Sequence, residues 1–364
     1  MVKKRQNKKR SKLISFFFFL CFFICVLYFY ESREVTIEES LSNRGEILQG
    51  EHLALDSDVE LYFCPKDNCT QVFLDVLRAA KSQIDCALYD LSDENVISAL
   101  SLSAQDKSVR VIVDDGNSDR SQLSVLSPKV ELMTDAARVS KYNNEMHDKF
   151  CVIDNETVLL GSANPTDNGL NKNNNNILVL HSKELAQNYA AEFEQMHSGL
   201  FGESKENVLS RENTTLSFGN QSYVLSSYFC PENDCEEKLF NVLSSAKHEI
   251  LFATFVLTLD SVENVLEEKA RSGVLVEGIV EKRNVNALGS RVLELNETFP
   301  IFTDSNPNSM HHKFFVVDGR FVVTGSMNPS KSGVSYNDEN ILIIKNEELA
   351  GKFRSEVLEL INES

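Results

Sequence analysis

The chain has 364 residues, enough for two domains with separate cores, and 42% hydrophobic against 25% charged residues excludes wholesale disorder. The net charge of −18 hides an asymmetry: residues 1–12 hold seven of the 36 basic side chains and no acid, leaving 29 basic against 54 acidic residues elsewhere. Such a surface repels polyanions at long range and argues against a protein that coats nucleic acid.

In chain order, the basic tail (1–12) is followed by LISFFFFLCFFICVLYFY, Leu13 to Tyr30, eighteen residues without a charge. That is near the minimum that crosses a bilayer core as a helix. No small-x-small cleavage site follows, so an uncleaved transmembrane anchor is preferred to a cleaved signal peptide. The positive-inside rule then leaves the N-terminus cytoplasmic and everything after Tyr30 extracytoplasmic or lumenal. Residues 31–57 read as a polar stem.

The rest is a duplication. MHDKFCVIDNETVLLGSANP (146–165) and MHHKFFVVDGRFVVTGSMNP (310–329) agree at eleven of twenty positions, 164 residues apart. Flanking stretches match as well, YFCPKDNC with YFCPENDC and NNNNILVL with NDENILII. A period this long means a duplicated domain, not a solenoid. Repeat one covers 58–201, a linker 202–220, and repeat two 221–364. In each, a helix (71–82; 236–247) precedes an apolar strand (84–90; 249–257), and another helix leads to a strand at 109–115 or 274–281. Two motif strands joined by a tight turn follow, then a strand (177–181; 341–345) and a helix (183–196; 347–361). Alternating strands and helices give an α/β class with two homologous α/β/α sandwich domains.

Of the eight cysteines, Cys21 and Cys25 lie in the anchor, and Cys86 and Cys151 read as buried free thiols. The C-x4-C loops read first as disulfide-closed turns, Cys64–Cys69 and Cys230–Cys235; a zinc site built from all four cysteines is the second reading.

The repeated polar letters carry the chemistry: His147/His311, Lys149/Lys313, Asp154/Asp318, Ser162/Ser326 and Asn164/Asn328. Histidine can attack phosphorus or deliver a proton, lysine is a point charge for a phosphate oxygen, and Ser and Asn add neutral donors to the same anion. The glycine before each serine lets the backbone approach closely.

This pattern, H-x-K-x4-D-x6-G-S-x-N twice, resembles the phospholipase D superfamily over nearly everything after residue 57. Each repeat is similar in length to the small Nuc and Zucchini-type members. The resemblance implies two units sharing one site on a pseudo-twofold axis, with both half-sites in one chain so that a monomer can be active. It also implies metal-free and cofactor-free cleavage of a phosphodiester through a phosphohistidine. Family members place an acidic or amide residue after each motif; the matching positions are Asn175 and Glu339, each 28 residues beyond its histidine. A carboxylate beside His311 would suit a general acid and an amide beside His147 a nucleophile. His312, matched by Asp148, would point away from the site, and Asp154 and Asp318 would be more structural than chemical. Compact repeats favour a nuclease acting on single-stranded DNA or RNA. The alternative is a phospholipase D or cardiolipin-synthase-like phosphatidyltransferase acting on membrane phospholipid. A catalytically dead, membrane-tethered binding protein ranks third, because both histidines and both lysines are retained.

Overall fold

The computed structural model describes residues 58–119, 121–136, 144–218 and 221–364. The tail, the anchor expected at 13–30 and the stem at 31–57 lie outside them. Among the described residues no helix is long and apolar enough to cross a membrane.

Repeat one runs β1 (Val59–Cys64), α1 (Cys69–Ala79), β2 (Gln83–Leu88), α2 (Glu94–Ser103), β3 (Ser108–Val113), β4 (Glu131–Thr134), β5 (Lys149–Ile153), β6 (Thr157–Gly161), α3 (Asp167–Asn171), β7 (Asn175–His181) and α4 (Lys183–His197). Repeat two begins with β8 (Thr214–Phe218) and β9 (Gln221–Cys230), then α5 (Cys235–Ser244), β10 (Glu249–Thr254), α6 (Asp260–Arg271) and β11 (Leu275–Val280). It closes with α7 (Val292–Leu295), β12 (Ile301–Thr303), β13 (Lys313–Val317), β14 (Phe321–Gly325), α8 (Lys331–Ser335), β15 (Glu339–Lys345) and α9 (Glu347–Glu363). The stretch read as a linker therefore contributes a strand, β8.

Sheet one has seven strands in the order β1-β7-β6-β5-β2-β3-β4; sheet two repeats that order from β9 to β12 and adds β8 beside β9, making eight. Only the β2–β3–β4 and β10–β11–β12 runs are parallel. Helix α1 buries Val72, Phe73, Val76 and Leu77, one stripe at helical spacing. Asn68 and Asp93 cap α1 and α2 by accepting amide protons of their first turns, each cap stabilising its helix by about 1 kcal/mol. Helices α4 and α9 lie in the core shared by the repeats, where Tyr189 meets Phe150 and Phe229, and Phe353 meets Phe314.

Contacts between the repeats are reciprocal. Met146 bridges Asp338 and Met310 bridges Asn174, each pair being the other shifted by one repeat. Such exchange defines a two-fold relation between halves.

Among the described residues three disulfides form: Cys64–Cys69, Cys230–Cys235 and Cys86–Cys151. The first two consume their thiols separately in the two repeats, which removes the four-cysteine zinc reading. The third corrects the expectation of free thiols at Cys86 and Cys151. These residues are directly opposed on the antiparallel strands β2 and β5, with Cα atoms 4.1 Å apart, close to the spacing of a non-hydrogen-bonded pair.

Candidate active site

His147 and His311 each sit two residues before a central strand, β5 or β13, and each meets the opposite repeat. His147 N–H donates to Asp338 O at 2.9 Å and His311 N–H to Asn174 O at 2.8 Å. The next residues along those partner strands reach the rings. Glu339 Oε1 lies 2.7 Å from His147 Nδ1, and Asn175 Oδ1 lies 3.0 Å from His311 Nδ1, with Ser162 O at 3.2 Å. This corrects the pairing inferred from the 28-residue spacing: each orienting group serves the histidine of the other repeat. Asn175 and Glu339 are the first residues of β7 and β15, and each reaches across the interface from its strand end.

The lysines fold back on the motif. Lys149 Nζ donates to His147 O at 2.5 Å and Lys313 Nζ to His311 O at 2.8 Å. Aromatic residues back each half: Tyr89 lies edge-on to His147 and Phe255 to His311, both at 4.7 Å between centroids. The lysine ammonium groups stand 4.9 Å and 5.1 Å from those same rings. Tyr89 and Phe255 occupy matched places just after β2 and β10, a coincidence in the sequence that could have singled them out.

Electrostatics follow from burial. Desolvation and then the two lysines hold both histidines well below the ordinary imidazole range. Burial lowers Lys149 to about 8 and brings Lys313 well down, the neighbouring Lys149 adding to it. Burial raises Glu339 to about 8 against the pull of both lysines. Burial thus disfavours the charged forms of both imidazoles and both ammonium groups, and an entering phosphate anion would restore charge to each.

Other motif residues take supporting places. Ser162 Oγ donates to Asn175 Oδ1 at 2.8 Å and accepts Asn176 N–H at 3.0 Å; Ser326 Oγ accepts Asn340 N–H at 3.0 Å. These hydroxyls hold the strands that carry the orienting groups, where the sequence suggested donors to phosphate. Asn164 and Asn328 each bury a carboxamide oxygen without a partner among the described residues. Gly161 is required, since a Cβ there would come within 2.0 Å of Asn176 O. Asp154 and Asp318, placed among the catalytic candidates, stand at the far ends of β5 and β13. Asp154 accepts amide protons from Lys81, Ser82 and Gln83, and Asp318 does the same for Lys247, His248 and Glu249. Their carboxylates cap the entry to β2 and β10, so they touch backbone and not the reacting centre.

His312 and Asp148 point into the repeat interface. His312 Nδ1 lies 3.3 Å from Asn176 Oδ1, and Asp148 Oδ1 accepts from Asn340 Nδ2 at 2.7 Å. Among the described residues no cluster of three or more His, Cys, Asp or Glu side chains is arranged to hold a metal ion.

Two opposed histidines, two lysines and two cross-repeat orienting groups define an enzyme of the phospholipase D superfamily. The family model described as "Cardiolipin synthase, PLD-like domain" matches residues 73–197 and again 239–361, and the chain belongs to that family. A mitochondrial cardiolipin hydrolase of Chlamydomonas reinhardtii is 26% identical over 136 residues, 35% of this chain and 61% of that protein. A phospholipase D of Rickettsia conorii is 24% identical over 168 residues, 43% of this chain and 84% of that protein. The match thus spans less than two thirds of the first relative's length. Among solved structures, phosphatidylserine synthase of Haemophilus influenzae shares the fold with a TM-score of 0.64 at 15% identity, over 82% of this chain and 84% of that one.

Proposed function

We propose that the protein cleaves the phosphodiester of membrane phospholipids, by hydrolysis or by transfer to an alcohol, through a phosphohistidine. The observation that carries the chemistry is the crossed pair, Glu339 on His147 and Asn175 on His311. The lipid substrate is supported by the family and by relatives named for cardiolipin and phospholipid. It is also supported by the acidic balance of the chain beyond residue 12, which disfavours a polyanion. This reading replaces the nuclease favoured from the compact repeats and their likeness to small nucleases of the family.

Glu339 accepting from Nδ1–H leaves the Nε2 lone pair of His147 free and stabilises the positive charge that forms on attack. His147 is therefore the nucleophile, for a reason opposite to the one the sequence suggested. His311 takes up a proton as the anionic phosphate enters. Nε2 of His147 bonds to phosphorus while the bond to the headgroup oxygen breaks, and His311 protonates that oxygen. Water, losing a proton to His311, then breaks the P–N bond and releases phosphatidic acid; an alcohol in its place gives transfer. Lys149 and Lys313 neutralise the non-bridging oxygens.

The full-length chain should release headgroup from phosphatidylglycerol, cardiolipin or phosphatidylcholine vesicles in EDTA, with His147→Ala and His311→Ala inert. Cleaved end-labelled oligonucleotides beside intact lipid would overturn the lipid reading.

A further inference from the structure

Residue 338 acts on His147 twice over. Its N–H donates to Glu145 O and its carbonyl accepts His147 N–H, both at 2.9 Å, and it directly precedes Glu339. Asn174 treats His311 in the same way, bonding Ser309 O and His311 N at 2.8 Å. The two side chains are held differently. Asn174 Oδ1 accepts from a neutral amide, Asn306 Nδ2, at 2.6 Å. Asp338 Oδ1 accepts Gly202 N–H at 2.7 Å and faces Lys205 Nζ at 3.0 Å. Lys205 comes from the stretch between the sheets, and its side chain is 0% exposed. It also binds Glu192 on α4 and stands 3.2 Å from Glu232 in the second C-x4-C loop.

Repeat one shows why a lysine is needed there. Residue 232 matches Lys66 of the first C-x4-C loop, and Glu192 matches Glu356 of α9. Lys66 crosses the interface to Glu356 at 2.8 Å and to Glu359 at 2.7 Å. Repeat two has glutamate in place of that lysine, so loop and helix alone would bury carboxylate against carboxylate with no cation between them. Lys205 supplies the missing cation from outside the repeat, and in that place it also reaches Asp338.

We propose that Lys205 is a positioning residue for His147: by locking Asp338 it holds both the backbone of the histidine and the carboxylate of Glu339. The proposal rests on the reading of His147 as nucleophile for its kinetic consequence, but not for its structural one. A lysine present only to neutralise Glu192 would leave the His147 ring indifferent to which residue carried it.

The test moves the lysine to where repeat one keeps it. Lys205→Met alone leaves three buried carboxylates together and is expected to unfold. The double variant Lys205→Met/Glu232→Lys gives Glu192 a cation as Lys66 does for Glu356, while Asp338 loses its own. In the full-length chain labelled with 15N-histidine, the Nδ1–H signal of His147, assigned by its loss in His147→Gln, should shift or broaden. The signal of His311 should stay, and Tm should remain within about 4 °C of wild type. On phosphatidylglycerol vesicles kcat should fall on the order of 10- to 100-fold, with KM changed by less than about threefold. An unchanged His147 signal in a folded double variant overturns the proposal. Asp338→Asn, which leaves Lys205 its two glutamates, must give the same His147 shift, and its failure to do so is equally fatal. The magnetic readout needs no turnover, so a wild type inert towards lipid would sink the functional reading while the spectrum still decided the role of Lys205.

Discussion

At the centre of sheet one Cys86 faces Cys151 across β2 and β5; at the matched places of sheet two Phe252 and Phe315 stand with ring centroids 5.8 Å apart. The neighbouring strand adjusts to each solution. Val111 pairs with Cys86, whereas Gly278 pairs with Phe252, and a Cβ on Gly278 would come within 2.3 Å of the Phe252 ring. Less has drifted around the histidines, where lysine, serine, glycine and an aromatic backstop recur in both halves. The interior tolerates any arrangement that fills the volume, while the reacting centre is copied. The departures that matter at the centre are Asn175 against Glu339 and Tyr89 against Phe255, and they make two near-identical halves chemically unequal.

The largest test of that inequality is at the histidines themselves. His147→Ala should lower turnover on the order of 10⁴-fold with any leaving group, since no P–N bond can form. His311→Ala should recover most of its first-step loss on a p-nitrophenyl phosphodiester, whose leaving group needs no proton, read as a burst of p-nitrophenolate before slow hydrolysis of the phosphohistidine. Equal rescue of both would dissolve the assignment of roles. Next comes the sulfur of sheet one. Closing a loop over a sequence separation of 65, the Cys86–Cys151 bridge should contribute about 4 kcal/mol. Urea unfolding of Cys86→Ala/Cys151→Ala should show that loss; an unchanged midpoint would mean that the bridge is incidental to stability.

A smaller effect is expected from Glu339→Gln, about 100-fold in kcat. The wild-type rate should rise with pH towards about 8 as the Glu339 carboxyl ionises. Glutamine has no proton to lose, so this limb should flatten in the variant, and its persistence would assign the limb elsewhere. Asp154→Ala and Asp318→Ala should each cost about 1 kcal/mol from the lost amide hydrogen bonds, with similar losses in both repeats and kcat in folded protein nearly intact. A collapse of kcat in either would return these aspartates to the chemistry.

Much of this is legible in the amino-acid order. The repeat, the α/β alternation and both H-x-K pairs follow from spacing, because strands and their motif residues are local. Strand β1 and the start of β9 escape the pattern, since VELYFC is short and runs directly into the C-P turn. The apolar runs 84–90 and 249–257 outlast their strands: Tyr89 and Phe255 leave the sheet to bond Asp148 O and His312 O and back the histidines. Crossed pairing of Glu339 and Asn175 is hidden because sequence distance says nothing about which side of an interface a strand end faces. Cys86 and Cys151 look like two core apolar residues, and Lys205 like one more charge in a polar connector; only the tertiary fold brings each to its partner.

Each histidine borrows its orienting group from the other half of the chain, so neither repeat holds a complete catalytic unit. If the chain were cut within 206–213, between the Lys205 cluster and β8, each fragment would keep its own sheet and both would lose their chemistry. Activity on mixing would then rise with the product of the two fragment concentrations. The uncut polypeptide avoids this dilution dependence, because one half is always present to the other at the effective concentration that a short tether provides.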